Sequence, residues 1–194
     1  LQYHFLKRPY ALVPQTAAAM PQLLLFDAAE RQLPPDADPG QVAFSEYRIR
    51  IQPGIRYQPH PGFARASDGD YRYWPLQEED LAGRFTMEDF PETGTRELEA
   101  ADYVYQVKRL AFRPNHSPVA GLMREHIAGF AEFSEAAAAA HARDQEAGRP
   151  WTDLRGIELA GVEVIDRYTY RVRIKRTYPQ FIYWLAMNFF APMP

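Results

Sequence analysis

The chain has 194 residues, of which 46% are hydrophobic and 24% are charged, and its formal net charge is −3. These values are typical of one globular domain, and the slight negative charge argues against a nucleic-acid-binding protein whose whole surface is basic. The absence of cysteine excludes disulfide bonds and cysteine-ligated zinc.

The first part of the sequence predicts short strands joined by loops. Residues 1–10 are aromatic and basic, and Pro9 limits them to an edge strand or a turn. Residues 22–26 are typical of a short strand, whereas the proline- and aspartate-rich residues 27–40 indicate a surface loop. Residues 44–51 alternate, and this period of two predicts a strand with one buried face. The predicted buried side chains are Ser45, Tyr47, Ile49 and Ile51, and the predicted outward ones are Phe44, Glu46, Arg48 and Arg50.

Residues 57–96 predict a long loop excursion, because proline, glycine, aspartate and arginine dominate and no period persists. One short helix is predicted within it, near residues 77–83. A loop of this length is unusual inside a compact domain, so we expect it either to contact another lobe or to carry function.

Three helices are predicted in the following part of the chain. Residues 97–111 carry an apolar stripe, with acidic residues early and basic residues late, as the helix dipole favours. Ser117 and Pro118 indicate the N-cap and the first position of a short helix. Residues 127–147 predict a long helix, with Gly148 just beyond its end.

The last part of the chain predicts a hairpin followed by an apolar run. Residues 162–165 form one strand, with Asp166 and Arg167 at the tip and an alternating partner strand after them. The partner strand places Tyr168, Tyr170, Val172 and Ile174 on its buried face and Thr169, Arg171, Arg173 and Lys175 on the other. Residues 181–191 are too short to cross a bilayer, which needs about 20 apolar residues. We therefore expect a short helix over residues 181–187, buried in a core.

No catalytic signature is present in the sequence. It lacks a phosphate-binding glycine loop, a G-x-S-x-G elbow and an H-E-x-x-H helix. The five histidines stand singly, without the spacing that places two metal ligands on one helix face. The aspartates near residues 36–40 and 68–70 lack the later glutamate of a calcium-binding loop, so turns explain them better. No catalytic residue, metal site or cofactor is predicted.

Asn188 is the polar residue that interrupts the apolar run 181–191, and burying an amide without a hydrogen bond costs about 1–3 kcal/mol. The amide therefore either caps backbone locally or points into a cleft at a polar ligand. Trp184 and Phe189 flank it, and these three residues form the candidate substrate-binding site.

The strands near residues 47–57 and 168–175 combine aromatic and basic residues, as in sheets that hold single-stranded RNA. Along the second strand, however, the aromatic and basic side chains alternate onto opposite faces. This alternation favours buried aromatic residues with solvated cations behind them.

Four segments of the chain carry a further sequence pattern, which lies both in their residues and in their order. They are residues 12–17 (LVPQTA), 46–57 (EYRIRIQPGIRY), 97–109 (ELEAADYVYQVKR) and 161–169 (GVEVIDRYT). In this order they resemble family 5 extracellular solute-binding proteins, the peptide-, dipeptide- and nickel-type receptors of ABC importers. Glu99 departs from the family pattern, which has a threonine N-cap there, so we expect Thr95 to cap the helix instead.

The resemblance implies an α/β (mixed α+β) fold, namely an incomplete periplasmic-binding-protein type II lobe with a mixed β-sheet and flanking helices. Residues 1–194 would form a single fragment of the first lobe, with residues 57–96 as a loop excursion. The second lobe would be absent from these residues.

The resemblance also implies that the protein captures a solute, an oligopeptide or a dipeptide, in the periplasm and delivers it to an ABC permease in the inner membrane. It implies a monomer that is not an enzyme, has no cofactor, binds no nucleic acid and is not itself transmembrane, with a signal peptide outside the given sequence. The family's ligand residues are not transferred. Asn188, Phe189 and Trp184 are chosen from their position and chemistry. The alternatives are a single-stranded nucleic-acid-binding module and an enzyme whose active site lies outside these residues.

Overall fold

Short strands occupy the first part of the chain, and helices follow in the middle. The computed structural model describes residues 1–76 and 78–194. The strands are β1 (Gln2–Tyr3), β2 (Leu12–Val13), β3 (Gln22–Phe26), β4 (Gln32–Leu33), β5 (Phe44–Arg50), β6 (Val162–Asp166) and β7 (Thr169–Lys175). The α-helices are α1 (Glu78–Leu81), α2 (Ala100–Ala111), α3 (Ala120–His126), α4 (Phe130–Glu146) and α5 (Phe181–Trp184). Single turns of 3-10 helix span Pro39–Gln41, Pro61–Phe63, Met87–Asp89, Arg113–Asn115 and Asn188–Phe190.

The described residues divide into two compact units. The larger unit holds Leu1–Gln52 and Glu99–Pro192, and the smaller unit holds Pro53–Leu98 with Met193–Pro194. All the strands named above belong to the larger unit, as do α2, α3, α4 and α5.

The sheet of the larger unit has the order β4-β3-β5-β7-β6 among the described residues, and all of its ladders are antiparallel. At its centre, Tyr47 of β5 pairs with Val172 of β7, and Ile49 pairs with Tyr170. These four side chains are at most 4% exposed, because the period of two directs them all to the same face. The predicted buried faces of both strands are confirmed except at Tyr168, which is half-buried and precedes the first residue of β7. The mixed α/β class, with helices flanking a sheet, is confirmed, but the predicted mixed β-sheet is wrong, because every ladder among the described strands of this sheet is antiparallel.

Helices α2 and α3 contact β7, and α4 packs against α2 and α3. Met123, Ile127, Phe130 and Phe133 are each at most 1% exposed. Burying a side chain of this size contributes about 1.5–3 kcal/mol, so this group is a large part of the core energy. The N–H of Ala128 donates to the carbonyl of Arg173 at 3.0 Å, which ties the α3–α4 connection to β7.

Helix α2 begins three residues later than its sequence pattern predicts. Its N-cap is Glu99, whose N–H donates to Oδ2 of Asp102 at 2.9 Å. The prediction that Thr95 caps this helix is wrong, because the Thr95 hydroxyl donates instead to the carbonyl of Tyr57 at 2.6 Å. Asp102, at position N3, thus forms the reciprocal half of a capping box by accepting from the N-cap N–H.

Two further boundaries differ from prediction. Ser117 is not the N-cap of α3, because a separate turn intervenes and Val119 takes that position. The tip of the β6–β7 hairpin is shifted by one residue, since Asp166 pairs with Thr169 and its Oδ1 accepts from the N–H of Tyr168 at 2.8 Å. An aspartate that bonds to backbone two residues ahead is a common turn device.

The predicted exposure of Glu46 is wrong. Glu46 lies on the outer face of β5, as the alternation predicts, but it is 0% exposed. Arg48, Arg171 and Arg173 surround its carboxylate. Long arginine side chains can cover a neighbouring strand position while their own heads reach water.

The smaller unit is held by contacts between its own two ends. The N–H of Tyr57 donates to the carbonyl of Arg96 at 3.0 Å, and the Arg96 guanidinium lies 5.2 Å from the ring centroids of both Tyr57 and Phe63. Gly94 permits a close backbone approach, because a Cβ there would lie 2.1 Å from the carbonyl oxygen of Phe63. The predicted loop excursion therefore has a folded base.

The two short helices predicted near residues 77–83 and 181–187 are shorter than expected. Helix α1 covers Glu78–Leu81, and Gln77 lies outside the described residues. Helix α5 has four residues and is followed by the turn Asn188–Phe190. Across residues 1–76 and 78–194, no helix combines the length and the apolar character that spanning a membrane requires.

Candidate functional site

The apolar run near the C-terminus folds into an aromatic cluster, defined here as Tyr178, Phe181, Trp184 and Phe190 together with His126. Phe181 is 0% exposed and Trp184 is 7% exposed. The His126 and Tyr178 rings stack at 3.9 Å, and both also contact the indole of Trp184. Trp184 is therefore a core residue that supports this part of the surface from beneath.

A second group of aromatic residues lies at the surface of the same unit, and we call Tyr3, Tyr10 and Tyr183 the tyrosine face. Tyr3 and Tyr183 stack with ring centroids 6.2 Å apart, and Tyr10 meets Tyr3 edge-on at 6.1 Å. The three side chains are 37%, 66% and 41% exposed. Exposed tyrosines offer an apolar ring and a polar hydroxyl to the same ligand, which makes this surface a candidate for solute contact.

Asn188 and Phe189 lie on the turn that follows α5. Asn188 is exposed, so the premise that its amide is buried is wrong. An exposed amide can hydrogen-bond to water, so it needs no local cap to offset a cost of burial. Phe189 is half-buried. Its carbonyl accepts a hydrogen bond of 2.9 Å from Nε2 of Gln106, a residue of α2 that is 5% exposed.

Gln106 therefore fixes the backbone on which two of the three predicted site residues lie. Its Oε1 is buried and has no hydrogen-bond partner among the described residues. The three predicted residues are not gathered in one cleft: Trp184 lies in the core, Phe189 lies between core and surface, and Asn188 faces solvent. Their role in binding stays a prediction.

The tyrosine face is the feature that sequence reasoning missed. Tyr3 and Tyr183 are 180 positions apart, so no local pattern predicts that they stack. The available sequence signal for an aromatic surface was the composition: aromatic residues make up 14% of the chain, and several of them fall near its two ends.

Four distant segments meet in a junction formed by Thr16, Ile51, Tyr103 and Arg167. The hydroxyls of Thr16 and Tyr103 lie 2.7 Å apart, and Ala17 forms a bridge with Ile51. The first N–H of α2, that of Ala100, donates to the Arg167 carbonyl at 2.9 Å. These contacts join one segment from each of the four stretches that share the family pattern.

Tyr103 packs against a second tyrosine at this junction. The ring of Tyr103 stacks on Tyr170 at 5.0 Å with an interplanar angle of 10°. Burial raises the pKa of the Tyr103 hydroxyl, and it raises that of Tyr170 well above its usual value. Both phenols therefore stay neutral at physiological pH, and that of Tyr103 hydrogen-bonds to the Thr16 hydroxyl.

The outer face of the sheet carries a charge cluster centred on Glu46. Its carboxylate accepts from Arg48 Nε at 2.8 Å, from Arg171 at 2.9 Å and from Arg173 at 3.3 Å. Burial by itself raises the pKa of Glu46, but the hydrogen bond from Arg48 and the charges of Arg171 and Arg48 outweigh it and hold the pKa below its usual value.

The outer arginines of this cluster have further acidic partners. Arg171 pairs with Glu163, and Arg173 donates to Glu30 at 2.8 and 2.9 Å. Arg171 and Arg173 are thus paired with carboxylates, whereas Lys175 on the same strand donates to the carbonyl of Arg124 at 3.2 Å. A face with this charge balance has little attraction for a phosphate backbone.

No group of three or more histidine, aspartate or glutamate side chains within residues 1–76 and 78–194 is placed to hold a metal ion.

No protein-family model and no curated protein matches the chain. Among solved structures it is similar to the pheromone receptor PrgZ, whose structure concerns its mode of peptide binding, with 16% identity and a TM-score of 0.49 over 97% of this chain and 24% of that chain. It is also similar to Listeria monocytogenes OppA bound to peptide, with 14% identity and a TM-score of 0.44 over 95% of this chain and 22% of that chain. For Burkholderia pseudomallei OppA the identity is 15%, the TM-score is 0.41, and the shares covered are 90% and 24%.

The chain therefore spans 22–24% of the length of these three proteins.

Proposed function

We propose that this chain is part of the first lobe of a solute-binding protein that serves an ABC importer, with an oligopeptide or a dipeptide as the solute. The observation that carries this proposal is the four-segment junction. The segments that resemble family 5 solute-binding proteins are far apart in sequence, yet Thr16, Ile51, Tyr103 and Arg167 meet in one place. A resemblance that arose by chance in four unrelated stretches would have no reason to converge in space.

In this proposal the solute contacts the tyrosine face and Asn188. Tyr183 and Asn188 are exposed side chains on one short stretch of chain, which Trp184 anchors in the core and Gln106 holds through the Phe189 carbonyl. A rigid support of this kind keeps the contact residues in place before binding, which lowers the entropy cost of association. A second lobe, outside these residues, would close over the solute.

The proposed protein binds and releases its solute without chemical change, so it needs neither a catalytic residue nor a cofactor. Its proposed partners are the solute and an ABC permease in the inner membrane. It would act as a monomer in the periplasm, and residues 1–194 would form a fragment of its first lobe.

The alternative of a single-stranded nucleic-acid-binding module depends on free cations along β5 and β7. Arg48, Arg171 and Arg173 are instead paired with carboxylates. That alternative predicts oligonucleotide binding that weakens steeply as salt is added. We expect no such binding in a filter assay with mixed oligonucleotides at two salt concentrations.

The proposal is tested with the protein encoded by the complete open reading frame and a pool of short synthetic peptides. Once a bound peptide is identified, Tyr183→Ala and Asn188→Ala should each raise its dissociation constant about threefold to tenfold. This is the effect of losing roughly 1 kcal/mol of contact energy. Phe85→Ala is the control, because Phe85 is 93% exposed and lies in the smaller unit. Dissociation constants that are unchanged in both site variants would refute the proposed contact surface.

A further inference from the structure

A cleft in the larger unit lies apart from the tyrosine face. Its volume is about 210 Å³, and the end of α2, the turn Arg113–Asn115, α3 and the start of α4 surround it. The polar residues that line it are Arg113, His116, Ser117, Arg124 and Ser134. Neither an aspartate nor a glutamate is among the lining residues.

The two arginines at this cleft differ from those on the sheet. Arg113 and Arg124 are exposed, and within residues 1–76 and 78–194 neither one has an ion-pair partner. Arg171 and Arg173, by contrast, each contact two carboxylates. Two unneutralised guanidinium groups at one concave site create a positive potential there, since low-dielectric walls focus the field.

A hydroxyl at the same cleft lacks a partner. Oγ of Ser117 is buried and makes no hydrogen bond among the described residues. Leaving a buried hydroxyl unpaired is unfavourable, and a rotation of the Ser117 side chain toward the cleft, where a ligand oxygen could accept from it, would relieve this cost. An oxygen of a bound anion can accept from Ser117 while the arginines bind its other oxygens.

The size of the cleft limits what can occupy it. Pockets for drug-sized ligands are about 300–1,000 Å³, and one water occupies about 30 Å³, so a cleft of 210 Å³ holds a group the size of several waters. Guanidinium groups match the geometry of phosphate oxygens and bind them with two parallel hydrogen bonds.

From these observations we infer that the cleft binds a small tetrahedral oxyanion of the phosphate type. Arg113 and Arg124 supply the charge, and Ser117 donates a hydrogen bond. His116, which has a left-handed backbone (φ 48°) at the end of the preceding turn, also lines the cleft. This inference does not depend on the proposed transport function.

The test is isothermal titration calorimetry of the 194-residue chain with inorganic phosphate at constant ionic strength. We expect saturable binding, which Arg113→Gln and Arg124→Gln each weaken at least tenfold, because one charge-assisted hydrogen bond is lost in each. Arg143→Gln is the matched control: Arg143 is also an exposed arginine, on α4, but it does not line the cleft. Ser117→Ala should weaken binding without removing charge.

Glycerol 3-phosphate tests whether the anion is free or part of a larger molecule, and acetate tests whether the cleft selects a phosphate-type anion. Binding of glycerol 3-phosphate as tight as that of phosphate would assign the site to a phosphate group on a larger molecule, and weaker binding would assign it to the free ion. Acetate should not compete with phosphate. The inference is overturned if phosphate does not saturate the protein, if acetate binds equally well, or if the cleft variants retain the affinity of the Arg143→Gln control while circular dichroism shows all of them folded.

Discussion

Replacing Glu46 by glutamine tests the charge cluster on the outer face of the sheet. The carboxylate is 0% exposed, and its three arginine partners lie at 2.8, 2.9 and 3.3 Å. The Glu46→Gln substitution keeps the shape of the side chain but removes the negative charge at the centre of these cations. The positive charges of Arg48, Arg171 and Arg173 then repel one another without a carboxylate at their centre.

The magnitude follows from the exposure of the partners. Removing one member of a fully buried ion pair costs about 3–5 kcal/mol, because the remaining charge is left in a medium of low dielectric constant. Here the side chains of Arg173, Arg171 and Arg48 are 17%, 27% and 41% exposed, so water screens part of the repulsion. Arg171 and Arg173 also retain Glu163 and Glu30. We therefore expect a loss of about 2–3 kcal/mol in the free energy of unfolding, after screening is allowed for.

Urea denaturation followed by circular dichroism measures this loss at pH 7. For a protein of this size, the expected loss corresponds to a fall in Tm of about 4–12 °C. Glu163→Gln is the matched control, because the Glu163 side chain is 55% exposed and surface pairs contribute about 0–1 kcal/mol. If the Glu46→Gln protein unfolds within about 0.5 kcal/mol of the unchanged protein, the ordinary effect of a surface substitution, the cluster does not stabilise the sheet.

Two other predictions concern pH and backbone packing. The folded-state pKa of Glu46 is below its usual value, so its stabilising effect is complete above the unfolded pKa of about 4.3 and is lost as the pH falls through the folded pKa. The difference in unfolding free energy between the unchanged protein and Glu46→Gln should therefore be constant from about pH 7 to pH 5 and shrink in more acidic solution. A difference that persists at full size in strong acid would show that the charge of Glu46 is not its cause. Gly161→Ala should destabilise the protein by about 1–3 kcal/mol or more, because the added Cβ would lie 2.1 Å from the carbonyl oxygen of Ala128. Gly121→Ala in α3, where a Cβ meets no atom within 4 Å, should instead be neutral or stabilise by up to about 1 kcal/mol, and equal thermal stability of the two variants would contradict this packing.

The strands at the centre of the sheet could be predicted from sequence because alternation encodes which side chains share a face. That rule placed Tyr47 and Ile49 correctly, and it also put Glu46 on the correct face. It could not show that Glu46 is buried, because burial on that face comes from arginines of β7, whose first residue lies more than a hundred positions along the chain. Periodicity describes one strand at a time, whereas the cover of a polar face depends on its neighbours.

The smaller unit and the candidate site were harder to predict for the same reason. The base of the smaller unit is a backbone pairing between Tyr57 and Arg96, and no periodic pattern marks such a contact. At the site, the chemistry of Trp184 and Asn188 was apparent from sequence, but their opposite exposures and the stacking of Tyr183 on Tyr3 depend on how the chain ends come together. The four-segment pattern carried more information than any single motif, because its members lie close together in the fold.

The central claim is that these residues form part of a two-lobed receptor for peptides. Native mass spectrometry of the protein encoded by the complete open reading frame, mixed with the peptide pool, tests it most directly, with the isolated 194-residue chain measured in parallel. We expect the complete protein to retain peptides and the isolated chain to retain few or none, because under the proposed function one lobe would supply only half of the contacts. Tight, saturable peptide binding by the isolated chain, or the absence of any peptide complex with the complete protein, would contradict the claim.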